Sequence, residues 1–187
     1  MKRFAAILWV AVGVAVLSTA ARADVAVDLV LSSSLVAEET EGPPFKGDKT
    51  LYLYVSGGLV DVEFGFVGDL EVVQLDLQPG HVNTGTLESP VISATSGCIS
   101  DTSYVAAVVV RDSSGDGGHL CFGYSTQNSR SCWRPCGGSD PDEWYWFTSQ
   151  RGYRTDGTSA CGVYDAACLS PLSVDSSTWG RVKAGYR

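Results

Sequence analysis

Apolar and polar residues alternate with a period of two through much of the first half of this chain. Val25 to Leu31 (VAVDLVL), Thr50 to Val55 (TLYLYV), Leu59 to Phe66 (LVDVEFGF) and Leu70 to Leu77 (LEVVQLDL) all carry the pattern. Side chains two apart share one face of a strand, so each run predicts a strand with one buried side. In the third run Asp61 and Glu63 fall on the polar beat and are expected to face solvent. Pro90 to Thr95 reads as another strand. Tyr104 to Val110 (YVAAVVV) is nearly all apolar and predicts a central strand buried on both faces. His119 to Tyr124 (HLCFGY) returns from it, and Glu143 to Thr148 (EWYWFT) is a late aromatic strand. Gly57-Gly58, Pro79-Gly80 and the run Asp112 to Gly118 (DSSGDGG) supply the turns. No apolar stripe of helical period persists. The expected fold is all-β, a two-sheet antiparallel sandwich of about seven to nine strands. Ser125 to Asp142 and Gly152 to Ala160 hold few apolar residues. They predict a disulfide-rich, irregular C-terminal portion.

The first residues break this pattern. Lys2 and Arg3 precede an uncharged apolar run from Phe4 to Leu17, followed by Ser18, Thr19 and an Ala-x-Ala site at Ala21-Arg22-Ala23. A positive start, a short apolar core and small residues before the cleavage point are what signal peptidase reads. The run is shorter than the roughly 20 residues that span a bilayer, and no later segment approaches that length. The expected organisation is a signal peptide over 1–23, a sandwich domain with a cysteine-rich second half over 24–170, and a tail over 171–187. The protein is expected outside the cell or in the cell envelope, with no transmembrane segment after cleavage.

Charge narrows the partners. The first 23 residues hold three basic and no acidic side chains, so the remainder carries 10 basic against 21 acidic residues. Nucleic acid and anionic membranes both require Lys/Arg clusters, and neither fits. An acidic surface serves solubility, or it binds hard cations. The six cysteines, Cys98, Cys121, Cys132, Cys136, Cys161 and Cys168, all lie in the second half. An even count in an exported chain reads as disulfides, with connectivity open. Proximity suggests Cys98–Cys121 across a strand and turn, Cys132–Cys136 around Trp133-Arg134-Pro135, and a local Cys161–Cys168 bridge. The rival reading is a zinc site from His119, Cys121, Cys132 and Cys136, but CxxC spacing is absent and the export route is oxidising.

Four patterns bear on chemistry. Asp112, Ser114 and Asp116 alternate like calcium-loop ligands, yet Gly123 stands where an EF-hand needs its bidentate Glu. A simpler calcium turn from Asp112 and Asp116 stays open beside an ordinary flexible hairpin loop. Gly115-Asp-Gly-Gly lacks the serine nucleophile of chymotrypsin-like proteases, since that place is Gly117. There is no Gly-x-Ser-x-Gly elbow, and the histidines are only His81 and His119. Asp140, Asp142 and Glu143 beside Trp144 and Trp146 form the most carbohydrate-like neighbourhood. Trp144 and Trp146 share a strand face and, with Trp133, could stack on sugar rings; the competing reading is aromatic packing against the core and the disulfides.

The ending Thr178-Trp-Gly-Arg-Val-Lys-Ala-Gly-Tyr-Arg187 puts three positive charges on an otherwise acidic chain. It resembles the Trp-Gly-x-(Ile/Val)-Lys tail of secreted bacterial β-sandwich proteins of no assigned activity, with Gly185 where a larger apolar residue is expected. Val62-Glu63-Phe64-Gly65-Phe66, with Cys98 downstream, resembles a β-domain of the same proteins. The resemblance implies a cohesin-like or immunoglobulin-like sandwich and brings no catalytic residues. The tail reads as a sorting signal or as a basic terminus. The sequence therefore predicts a secreted or surface-attached, non-enzymatic binding or structural module of a bacterium, without cofactor unless calcium binds. A carbohydrate-binding module facing a glycan or cell-surface partner is the alternative, and a small extracellular hydrolase the second.

Overall fold

A computed structural model of the protein describes residues 27–37, 39–99, 101–137 and 144–155. The leader, the tail, the bridge expected between Cys161 and Cys168, and Asp140, Asp142 and Glu143 lie outside the described residues. The described residues are all-β. Thirteen short strands follow in order: β1 (Asp28–Ser32), β2 (Gly47–Ser56), β3 (Leu59–Glu63), β4 (Gly65–Gly68), β5 (Glu71–Leu77), β6 (His81–Asn83), β7 (Val91–Ala94), β8 (Thr102–Asp112), β9 (His119–Gly123), β10 (Cys132–Pro135), β11 (Tyr145–Trp146), β12 (Ser149–Arg151) and β13 (Tyr153–Arg154). The strands outnumber the seven to nine expected because Phe64 divides one run into β3 and β4, Gly152 divides β12 from β13, and the short β6 and β10 form in segments that no alternating run marks.

One layer is a five-stranded sheet ordered β12-β1-β2-β8-β5. The strands facing it form a second five-stranded sheet of shorter strands, β11-β10-β3-β7-β6, and a three-stranded one, β13-β9-β4. All pairings are antiparallel except β1 with β12. Leu29, Leu31, Leu51, Leu53, Val55, Val108 and Val110 from the large sheet meet Leu59, Val62, Phe64, Ile92, Leu120 and Phe122 from the smaller ones in one core. Phe64 makes edge-on contacts with Phe66 and Phe122, each at a centroid distance of 5.2 Å. Rings in that arrangement add to the burial energy of the layer.

β8 does not bury both faces equally. Its residues alternate between fully buried Val108 and Val110 and half-buried Ala107 and Val109. A bulge interrupts the alternation. Leu53 pairs with Ala106, but the next residue, Tyr54, pairs with Tyr104, leaving Val105 as the extra residue. Val105 and Ala106 both enter the core, and Tyr104 is turned to the outer face beside Tyr54.

Two expectations are corrected. Asp61 and Glu63 do not face solvent: both are buried, and Glu63 is 0% exposed. Their face of β3 is covered by the segment leading into β10. Arg134 pairs with Asp61 and Arg130 with Glu63, while Asn128 Nδ2 donates to Glu63 Oε1 at 2.7 Å. Buried carboxylates require such partners. The second correction concerns the cysteines. Cys98 is joined to Cys136, with Cα atoms 5.7 Å apart, not to Cys121, and Cys132 therefore does not bridge Cys136. Sequence proximity failed because β3 lies between the partners: Ile99 hydrogen-bonds Leu59, and Cys136 N donates to Gly58 O at 3.0 Å. Cys121 and Cys132 are also disulfide-bonded, which removes the thiolates a zinc site would need.

Arg130→Ala leaves the Glu63 carboxylate buried without its cation and is expected to destabilise the fold by about 3–5 kcal/mol. Trp146→Ala, at a 51% exposed position, is expected to stay within about 0.5 kcal/mol. Urea unfolding of the two variants beside the parent checks both values.

Candidate functional site

The outer face of the large sheet carries the most suggestive arrangement. Register lays it out in rows. Asp28 N donates to Ser56 Oγ, and Ser56 lies opposite Thr102. In the next row Arg151 faces Val30, Val30 faces Tyr54, and Tyr54 faces Tyr104. These neighbours enclose a cavity of about 150 Å³ lined by Asp28, Val30, Ala37, Tyr54, Ser56, Thr102 and Arg151. Val30 and Tyr54 are only 3% and 7% exposed and form its floor. Ala37 enters from the loop after β1. Ser32 Oγ donates to Val36 O at 2.5 Å and Ser33 N to Glu39 O at 2.8 Å, which folds the loop tightly and leaves Leu35 and Val36 exposed at its tip.

Tyrosines continue the face beyond the cavity. Tyr104 lies 5.5 Å from Tyr52, edge to face, and 5.8 Å from Tyr54. Burial pushes the Tyr54 hydroxyl above the ordinary tyrosine value, and the neighbouring tyrosines add to it. Burial does the same for Tyr104, opposed by a hydrogen bond from Gln78. Ser56 Oγ accepts a hydrogen bond from Asp28 N at 3.0 Å, so its own proton is left to donate.

The three tryptophans do not form a sugar-binding row. Trp133 is buried; it stacks on Tyr145 at 5.2 Å, and its Nε1 donates to Trp146 O at 2.7 Å. That corrects its placement as a ligand contact and reflects β10 lying between β3 and β11. The Arg130 guanidinium lies 3.8 Å over the half-buried Trp144 ring and occupies a face that a sugar would use. Trp146 is exposed.

The loop from Asp112 is built around its own carboxylate. Oδ1 accepts from the backbone N–H groups of Ser114 and Gly115, each at 2.9 Å, and from Ser114 Oγ at 2.8 Å. Oδ2 accepts from Gly117 N at 3.0 Å. These donors, Gly115 first, hold the Asp112 carboxyl below the usual carboxylate range. Asp116 is exposed on the same loop. No cluster of three or more metal-ligating side chains occurs among the described residues. His119 Nδ1 lies 2.8 Å from the exposed Asp69 carboxylate, away from the cavity.

Neither the tyrosine face nor the ion layer on β3 was found from the sequence. Tyr52 and Tyr54 are visible on one beat of TLYLYV, but Tyr104 joins them only through the bulge. Glu63 and Arg130 are 67 residues apart. No family model matches the chain, and neither does any curated protein or solved structure.

A proton held more tightly in the folded than in the unfolded chain stabilises the fold fully below the unfolded value and is lost as pH rises through the folded one. Stability is therefore expected to decline as pH climbs past the ordinary tyrosine value of 10.0. An ultraviolet titration of phenolate should show a late-ionising component that shrinks in Tyr54→Phe.

Proposed function

We propose that the protein is an exported, non-catalytic binding module whose ligand site is the cavity on the outer face of the large sheet. The observation that carries this reading is the cavity itself: an apolar floor of Val30 and Tyr54, ringed by polar and charged groups from four different strands. Ligand sites commonly combine an apolar base with a few convergent polar groups. A rigid sheet places those groups more firmly than a loop would. The cavity is smaller than the roughly 300–1,000 Å³ of drug-sized sites, which favours a small solute over a segment of polymer. Export is supported by the leader-like first 23 residues and by the disulfide between Cys98 and Cys136. A bacterial source rests on the resemblance of the tail.

The test is a thermal-shift screen of the secreted domain with free amino acids, monosaccharides and short dicarboxylates. At least one solute is expected to raise the melting temperature, and Ala37→Trp, which fills the mouth of the cavity, is expected to abolish that shift. A shift that survives in Ala37→Trp, or no shift with any solute, overturns the reading.

A further inference from the structure

The cavity contains opposite charges that do not meet. Asp28 and Arg151 both line it. They lie on adjacent parallel strands, where Val30 is opposite Arg151 and Asp28 is two residues before Val30. Two residues along and one strand across place their backbones about 8 Å apart. Among the described residues, neither side chain forms an ion pair, although Arg111, Arg130, Arg134 and Arg154 each take a carboxylate. A half-buried carboxylate on one side and an exposed guanidinium on the other therefore face one small space.

From this geometry we infer that the ligand is a small zwitterion, an α-amino acid in its free form. The inference rests on the cavity being a ligand site. Asp28 takes the ammonium group. Arg151 takes the carboxylate, for which a guanidinium offers paired donors. Ser56, which accepts from Asp28 N, and Thr102 opposite it carry hydroxyls that complete the hydrogen bonding of the charged ends. The carbon skeleton rests on Val30 and Tyr54. A cavity of about 150 Å³ suits a small solute such as alanine or serine over a segment of polymer. A ligand of one charge would engage only one of Asp28 and Arg151, and so would forgo one charge-assisted contact.

Isothermal titration of the secreted domain with alanine, ethylamine, propionate and glucose tests this. Alanine is expected to bind at least about tenfold more tightly than ethylamine or propionate, since each analogue loses one charge-assisted contact. Asp28→Asn, nearly isosteric, is expected to narrow the preference for alanine over propionate, and Arg151→Gln the preference for alanine over ethylamine. Because each readout is a ratio within one protein, a change in overall stability does not mimic it. Equal binding of alanine and a singly charged analogue overturns the inference, as do preferences unchanged in both variants. Binding of glucose or propionate in place of alanine, lost in Ala37→Trp, removes the zwitterion and leaves the cavity a ligand site. Silence from all four probes and from the wider solute screen removes both.

Discussion

The register of β2 against β8 determines both faces of the large sheet. Ten residue pairs run from Gly47–Asp112 to Ser56–Thr102. A slip of one residue would exchange the two faces of a strand. Leu51, Leu53 and Val55 would leave the core, and Tyr52 and Tyr54 would enter it. The single bulge at Val105 is part of the same constraint. It lets Val105 and Ala106 both fill the core while Tyr104 turns outward to meet Tyr54. The tyrosine face and the adjoining cavity thus follow from how the core is filled.

The opposite layer faces a different problem. β3 lies between β10 and β7, with Val62 in the core and Asp61 and Glu63 on the far side. Those carboxylates would be solvated if nothing covered them. The segment before and within β10 does cover them, and it brings Arg130, Arg134 and Asn128 as partners. Trp144 then lies beneath both guanidinium groups, 3.8 Å from that of Arg130 and 6.0 Å from that of Arg134. The Cys98–Cys136 bridge ties the end of β10 to the chain beside β3. A stretch with few apolar residues is ordered by charge pairing and a cross-link where an aliphatic core is lacking.

These two devices divide the labour of the molecule. The charged layer is internally satisfied, each buried carboxylate being matched by a cation. The charges around the outer cavity are not matched to one another. Charges left unpaired beside an apolar floor are functional candidates, while a closed ion-pair network is structural. The Asp112 loop falls in the structural group, because its carboxylate is occupied by the backbone it organises.

How much was legible in advance depends on the range of the signal. Period-two alternation is local, so the all-β class, β1, β2, β3 and β5, and the turns at Gly57 and Asp112 could be read directly from neighbouring residues. The strong apolar run of YVAAVVV announced β8, but nothing in it marks Val105 as a bulge, because the bulge exists only against Leu53 and Tyr54. Asp61 and Glu63 were read as solvent-facing because alternation says that two faces differ and not what covers the second. Trp133 looked like a binding residue until β11 was placed against it. The Cys98–Cys136 pairing, the partners of Glu63 and the opposition of Asp28 to Arg151 all join residues far apart along the chain. Sequence alone determined which side chains could share a strand face; tertiary structure decided which strands became neighbours, since that depends on burial and hydrogen bonding summed over the whole chain.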